Sequence, residues 1–186
     1  YGAPERDLID LAHEILKRFP VGKRSAKHEL QKDDAHCSAK IVDAVEFVRF
    51  ANDEIDHYRQ QMSEFAAIVE RSESFASGIM VSQARLMISN DLAIPRKRVT
   101  PLLHHEIGTH LLTYFNGRCQ PLRQLYAGLA GYEGLQEGLA VLAEYLVGGL
   151  TRKRIRTLAG RVLAVHWMIH GKPFSTVFAR LRDQGF

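Results

Sequence analysis

The sequence predicts a mainly α-helical fold with a small β-hairpin or sheet, an α+β arrangement. Three observations carry this expectation. Apolar residues recur at helical spacing over most of the chain, one stretch near the middle reads as two short strands, and glycine or proline stands at most of the breaks. With 186 residues, 46% of them hydrophobic, the chain can bury one sizeable core, and a single domain is expected.

Residues 7–19 place Leu8, Ile9, Leu11, Ala12, Ile15, Leu16 and Phe19 at helical spacing, and Pro20-Val21-Gly22 ends the helix. From about 38 to 70 the positions Ile41, Val42, Val45, Phe47, Val48, Ile55, Phe65 and Ile68 predict one long helix, or two broken near Asn52-Asp53. Both segments are expected to pack on the central unit, as a helical N-terminal part covering about 1–75. Gly78-Ile79-Met80-Val81-Ser82 and Arg85-Leu86-Met87-Ile88-Ser89, separated by Gln83-Ala84, read as a hairpin. Thr100-Pro101 predicts a helix start, with Thr100 as N-cap and Pro101 in the first turn, where its missing N–H is not needed. That helix should run to about Phe115, where Asn116-Gly117 stops it. Residues 118–132 hold Pro121, Gly128 and Gly131 and predict a loop over a cleft. An apolar helix follows to about Leu146. Two more, 152–170 and 174–184, are divided by Gly171-Lys172-Pro173.

Composition narrows the function classes. The net charge of +4 comes with basic clusters at Arg96-Lys97-Arg98 and Arg152-Lys153-Arg154-Ile155-Arg156. These are read as a solvated loop and helix start rather than a nucleic-acid interface, and the positive surface would attract an acidic peptide tail. No apolar run approaches the roughly 20 residues of a bilayer span, and no export signal is visible, so a soluble, cytoplasmic protein is expected. Cys37 and Cys119 are too few for a disulfide framework and are read as buried or free thiols. The chain opens at Tyr1 without methionine and stops just after an amphipathic helix, which predicts a piece of a longer protein.

The chemistry concentrates in His104-His105-Glu106-Ile107-Gly108-Thr109-His110. Neutral imidazoles and carboxylates hold a divalent metal such as zinc, a catalytic site leaves one position for water, and a neighbouring carboxylate can take that water's proton. In the usual zinc-protease helix the two histidines stand four apart on one face. His105 and His110 stand five apart, about 140° out of phase on a regular α-helix. A π-bulge would bring them together, and Gly108 lies between them, where a backbone distortion is cheapest. The pairs His105/Thr109 and His104/His110 are worse. A third ligand is needed, and Glu137, in Gln136-Glu137-Gly138-Leu139-Ala140 on the next helix, is the natural candidate. Glu133 and Glu144 are fallback ligands or partners of the ligands.

The runs His105-Glu106-Ile107-Gly108-Thr109-His110, Asn116-Gly117-Arg118 and Gln136-Glu137-Gly138-Leu139-Ala140 resemble those of the bacterial flavohemoglobin expression-modulating QEGLA motif proteins, which are similar to the eukaryotic microtubule-associated tyrosine carboxypeptidases. The resemblance extends over nearly the whole chain, including Gly78-Ile79-Met80-Val81-Ser82 and Leu86-Met87-Ile88. It implies a zincin-like metallopeptidase core at about 76–186, with a zinc ion held by His105, His110 and Glu137 and with Glu106 as general base. Members of the family continue beyond the equivalent of Phe186. The detyrosination of α-tubulin by the eukaryotic relatives is not carried over.

The remaining candidates follow from what the reaction needs. An oxyanion donor could come from Tyr132, Tyr114 or Tyr145, and a terminal carboxylate could be held by Arg118, Arg123 or Arg161. His104 is read as a packing or supporting residue and His166/His170 as helix-face packing, while His13, His28, His36 and His57 are expected at the surface. The expected function is a zinc-dependent peptidase, a carboxypeptidase acting on flexible C-terminal peptide tails. The alternative is a non-enzymatic regulator with a structural or sensing zinc.

Overall fold

One-sided burial builds the first long helix of the core. The computed structural model describes residues 2–21, 40–73 and 78–186, so Cys37, His28 and His36 lie outside the described residues. By packing the chain divides into two units, one of residues 36–149 and one that joins 1–35 to 150–186.

In the larger unit β1 (Ile41–Asp43) leads into α2 (Ala44–Gln61), following α1 (Arg6–Arg18) of the other unit. The Asp43 carboxylate caps α2 by accepting from the Glu46 amide at 2.8 Å. Helix α2 runs unbroken through Asn52-Asp53, because those two residues face solvent while Phe47, Ala51 and Ile55, four apart, are completely buried. The expected continuation to residue 70 is wrong. Met62 takes an extended conformation that ends α2 at Gln61, and Ile68 belongs to a strand.

That strand, β2 (Ile68–Ser72), pairs in parallel with β4 (Arg85–Ser89), and β3 (Ile79–Ser82) pairs antiparallel with β4 on its other side. The predicted hairpin is therefore present, turning at Gln83 with a φ of 54°, and it forms two strands of a three-stranded sheet ordered β2-β4-β3. A second ladder joins β1 to β5 (Ala93–Pro95).

A 3₁₀ turn, Arg96–Arg98, leads into α3 (Val99–His105), a π-helical segment Glu106–Leu111 and α4 (Leu112–Arg118), which together form one rod. Thr100 is not its N-cap. Following the 3₁₀ turn, the helix starts two residues earlier, at Val99, and Thr100 lies exposed within the first turn. Nor does Gly117 stop the rod, which passes through it to Arg118; a Cβ at Gly117 would run into the backbone of Leu125 and Tyr126. Glycine is needed there for a close approach of chains. The stretch expected to be pure loop contains one helical turn, α5 (Gln124–Ala127), before α6 (Tyr132–Leu146). The inner stripe of the rod, Val99, Leu103, Ile107, Leu111 and Phe115, meets Phe47, Ile55, Phe65, Leu86 and Ile88 in the core. Burial of each such side chain contributes about 1.5–3 kcal/mol.

In the other unit α1 packs on α7 (Arg152–Ile169), and α7 on α8 (Phe174–Asp183), around Ala12, Ala159, Leu163, Trp167 and Val177. Thr151 caps α7 by accepting from the Arg154 amide, and Gly160 leaves room for the Phe186 ring. The fold is mainly helical with small sheets. Among the described residues no helix is long and apolar enough to cross a membrane.

Candidate active site

The five-residue spacing of His105 and His110 is resolved by the π segment that begins at Glu106. The extra residue in the turn brings the two rings to 5.1 Å between centroids. The Thr109 hydroxyl donates to the His104 carbonyl at 3.0 Å, supporting the widened turn. Gly108 lies inside the π segment, and it also supplies space, since a Cβ there would lie 3.0 Å from the Tyr58 hydroxyl.

Helix α6 packs on α3 and on the π segment and brings the third group. A Glu137 oxygen lies 3.5 Å from His110 Nε2, and the other lies 3.9 Å from His105 Nε2. One donor atom from each of the three residues falls within 4.8 Å of the other two, so the cluster could hold a metal ion. The same helix orients one imidazole, because the buried Glu144 accepts from His105 Nδ1 at 2.9 Å. This leaves His105 Nε2 toward Glu137. Burial pushes the His110 pKa below the ordinary histidine value, Glu137 opposes that, the neighbouring His105 reinforces the depression, and a hydrogen bond donated by the His110 ring to the Gln136 side chain works with Glu137. A neutral imidazole is the form that ligates a metal.

The cluster opens into a cavity of about 520 Å³ whose walls include Glu106, Tyr114, Tyr132 and Glu133. The edge strand β3 contributes Ile79, Met80 and Val81, and the connection before α6 contributes Tyr126. The expected loop over the cleft is thus a wall of it. A second cavity, about 940 Å³, shares Gln83, Tyr114, Tyr126 and Ala127 with the first and is bordered by Arg118 and Arg123. Arg118 donates to the Tyr114 hydroxyl at 3.3 Å and stacks near the Tyr114 and Tyr126 rings.

Of the other sequence candidates, His104 is half-buried with its ring beside Gly108, and Tyr145 is largely exposed. Arg161 lies on α7 in the other unit, and there the His170 Nδ1 bonds the His166 carbonyl at 2.8 Å, a helix-face contact. His13 and His57 are exposed, as is the free Cys119. Two residues escape the sequence reading. Gln136 bonds His110, and its place next to Glu137 was the available signal. Arg98, read as part of a solvated basic run, bonds the buried Glu144 at 2.9 Å.

A sequence model of the microtubule-associated tyrosine carboxypeptidases matches residues 1–186. The chain belongs to this family. No curated protein and no solved structure matches it. Membership in the tyrosine carboxypeptidase family implies a peptidase of the carboxypeptidase type, with a peptide or protein as substrate.

Proposed function

We propose that this protein is a zinc-dependent carboxypeptidase in which His105, His110 and Glu137 hold the ion and Glu106 is the general base. The donor set fits the ion. Donor atoms at neighbouring corners of a tetrahedral zinc site are about 3.3 Å apart; with one donor from each residue the three lie within 4.8 Å of one another, so a small inward shift of the side chains closes them on an ion. Two nitrogens and one carboxylate are a hydrolytic zinc set. When bound, zinc supplies a Lewis acid and lowers the pKa of water to about 7.

The chain's own groups then have distinct tasks. Glu106, on the cavity wall, accepts a proton from the attacking water and passes one to the leaving amine. Tyr132 and Tyr114 line the same cavity, and a hydroxyl from one of them donates toward the developing oxyanion. The edge strand β3 can align an extended peptide by backbone hydrogen bonds. Arg118 and Arg123 border the adjoining cavity and offer guanidinium groups to the substrate's terminal carboxylate.

The observation that carries this reading is the convergence of three donor atoms within 4.8 Å in a cavity that also contains Glu106. A regulatory protein with a structural zinc would use four protein donors. Among the described residues the cluster has three, which favours the enzyme. The test combines zinc analysis with hydrolysis of a peptide library. Glu106→Gln should retain stoichiometric zinc and lose hydrolysis, and His105→Ala should lose both. A Glu106→Gln protein as active as the parent would refute the assignment.

A further inference from the structure

The geometry points to Arg98 as a positioning residue for the candidate metal site, acting through Glu144 on His105; this rests on the metal-site reading above. Three links connect it. Arg98 Nη1 donates to Glu144 Oε2 at 2.9 Å and to the Gly149 carbonyl at 3.1 Å. The opposite Glu144 oxygen accepts from His105 Nδ1 at 2.9 Å. The Glu144 side chain is fully buried, while those of Arg98 and His105 are 19% and 11% exposed.

The two anchors are fixed independently of any ion. Gly149 closes the end of α6 by donating from its amide to the Glu144 carbonyl at 2.7 Å, and it lies so close to Pro101 that a Cβ would clash. Arg98 stands at the start of α3. The guanidinium therefore ties the beginning of the helix that carries His105 to the end of the helix that carries Glu137. A buried carboxylate needs its lone pairs satisfied. Here Arg98 takes one oxygen and sets the rotation of the group, so the other oxygen faces Nδ1. An Nδ1–H held in this way leaves the lone pair on Nε2, the atom facing Glu137. Lysine carries the charge on a rotating ammonium and lacks the rigid planar group that aims the Nη1 hydrogens at Glu144 and Gly149, so it is not equivalent at this position.

The experiment uses Arg98→Met, Arg98→Lys, Glu144→Gln and the Arg98→Met/Glu144→Gln double variant. Zinc affinity is read by chelator competition, and the ring tautomer of His105 in the metal-free protein is read by nitrogen-15 NMR. Loss of a group that orients a ligand weakens metal binding about 10- to 100-fold. A loss of that size is expected for Arg98→Met and for Glu144→Gln, with the double variant no weaker than Glu144→Gln alone and Arg98→Lys in between. The His105 signals should move from the Nδ1–H form toward a mixture in each variant. If Arg98→Met fails to fold, Arg98→Lys retains the buried charge pair and carries the test. Zinc affinity within twofold of the parent together with an unchanged His105 tautomer, in Arg98→Lys and in any folded Arg98→Met, overturns the inference. A parent protein that binds no zinc refutes the metal reading instead, and the metal-free tautomer measurement still decides the role of Arg98.

Discussion

The His105 and His110 rings stand 5.1 Å apart at an interplanar angle of 66°, although five residues separate them in sequence. On a regular α-helix they would diverge by about 140°, so the π segment Glu106–Leu111 is what makes the pair. Deleting Gly108 would restore the four-residue spacing, which on a regular helix leaves the rings about 40° apart. His110, Leu111 and Phe115 would keep their mutual order. The deletion is expected to keep zinc binding. Inserting one alanine between Gly108 and Thr109 turns His110 by about a further 100° and should abolish it. Calorimetric titration with zinc distinguishes the two, and the reverse pattern would remove the π segment from the explanation.

Acid should destabilise the metal-free protein through His110. Its folded-state pKa is depressed by burial, with Glu137 pulling the other way and His105 adding to the depression. The unfolded chain's histidine titrates at about 6.5. Above that pH both states are neutral and His110 leaves stability unchanged. As pH falls below it the unfolded state binds its proton first, so the contribution present above the unfolded pKa is lost on the way down through the folded one. Urea midpoints measured from about pH 7.5 to pH 5 should fall more steeply for the parent than for His110→Gln. Parallel curves would contradict this origin.

Gly117→Ala tests the wall of the cavities rather than the His105, His110 and Glu137 cluster. The added Cβ meets the backbone of Leu125 and Tyr126, which cannot swing away as a side-chain tip would. Overpacking of this kind costs about 1–3 kcal/mol, a fall of about 2–4 °C or more in the melting temperature of a domain this size. Because Leu125 and Tyr126 line the cavity beside the cluster, KM should rise while zinc stoichiometry stays intact. An unchanged melting curve would show that the 118–132 connection yields easily.

What the sequence reveals and conceals follows the range of the interactions. The inner face of α2 is legible because Phe47, Ala51 and Ile55 repeat every four residues, but its end is not. Met62-Ser63-Glu64 has no glycine or proline, and the strand after it exists because Ile68–Ser72 finds a partner in Arg85–Ser89. The ladder between β1 and β5 is hidden in the same way. The pairing of His105 with His110 is legible because a five-residue gap between histidines brings them together on a helix only with an extra residue in the turn. Arg98 is not legible, since its meaning depends on Glu144, 46 residues away. Gly117 misleads because glycine after asparagine is a common helix stop, whereas here a crossing backbone demands it.

Arg118 offers the sharpest test of the carboxypeptidase reading. Its guanidinium is exposed, yet it is held over the Tyr114 and Tyr126 rings and bonded to the Tyr114 hydroxyl, on the border of the second cavity, which shares Tyr114 and Tyr126 with the one holding the cluster. A group kept in place before substrate arrives loses less entropy on binding it. If it receives the terminal carboxylate, Arg118→Ala should raise KM for free-acid peptides about fivefold, the scale of an exposed ion pair. The change in kcat should be small, because the contact forms equally in the ground and transition states. Peptides with an amidated C-terminus lack the charge, so for them parent and variant should behave alike. High salt should narrow the difference for the free acids. Equal losses on free-acid and amidated peptides would assign Arg118 to wall structure and move the carboxylate to Arg123, whose alanine variant is measured in parallel.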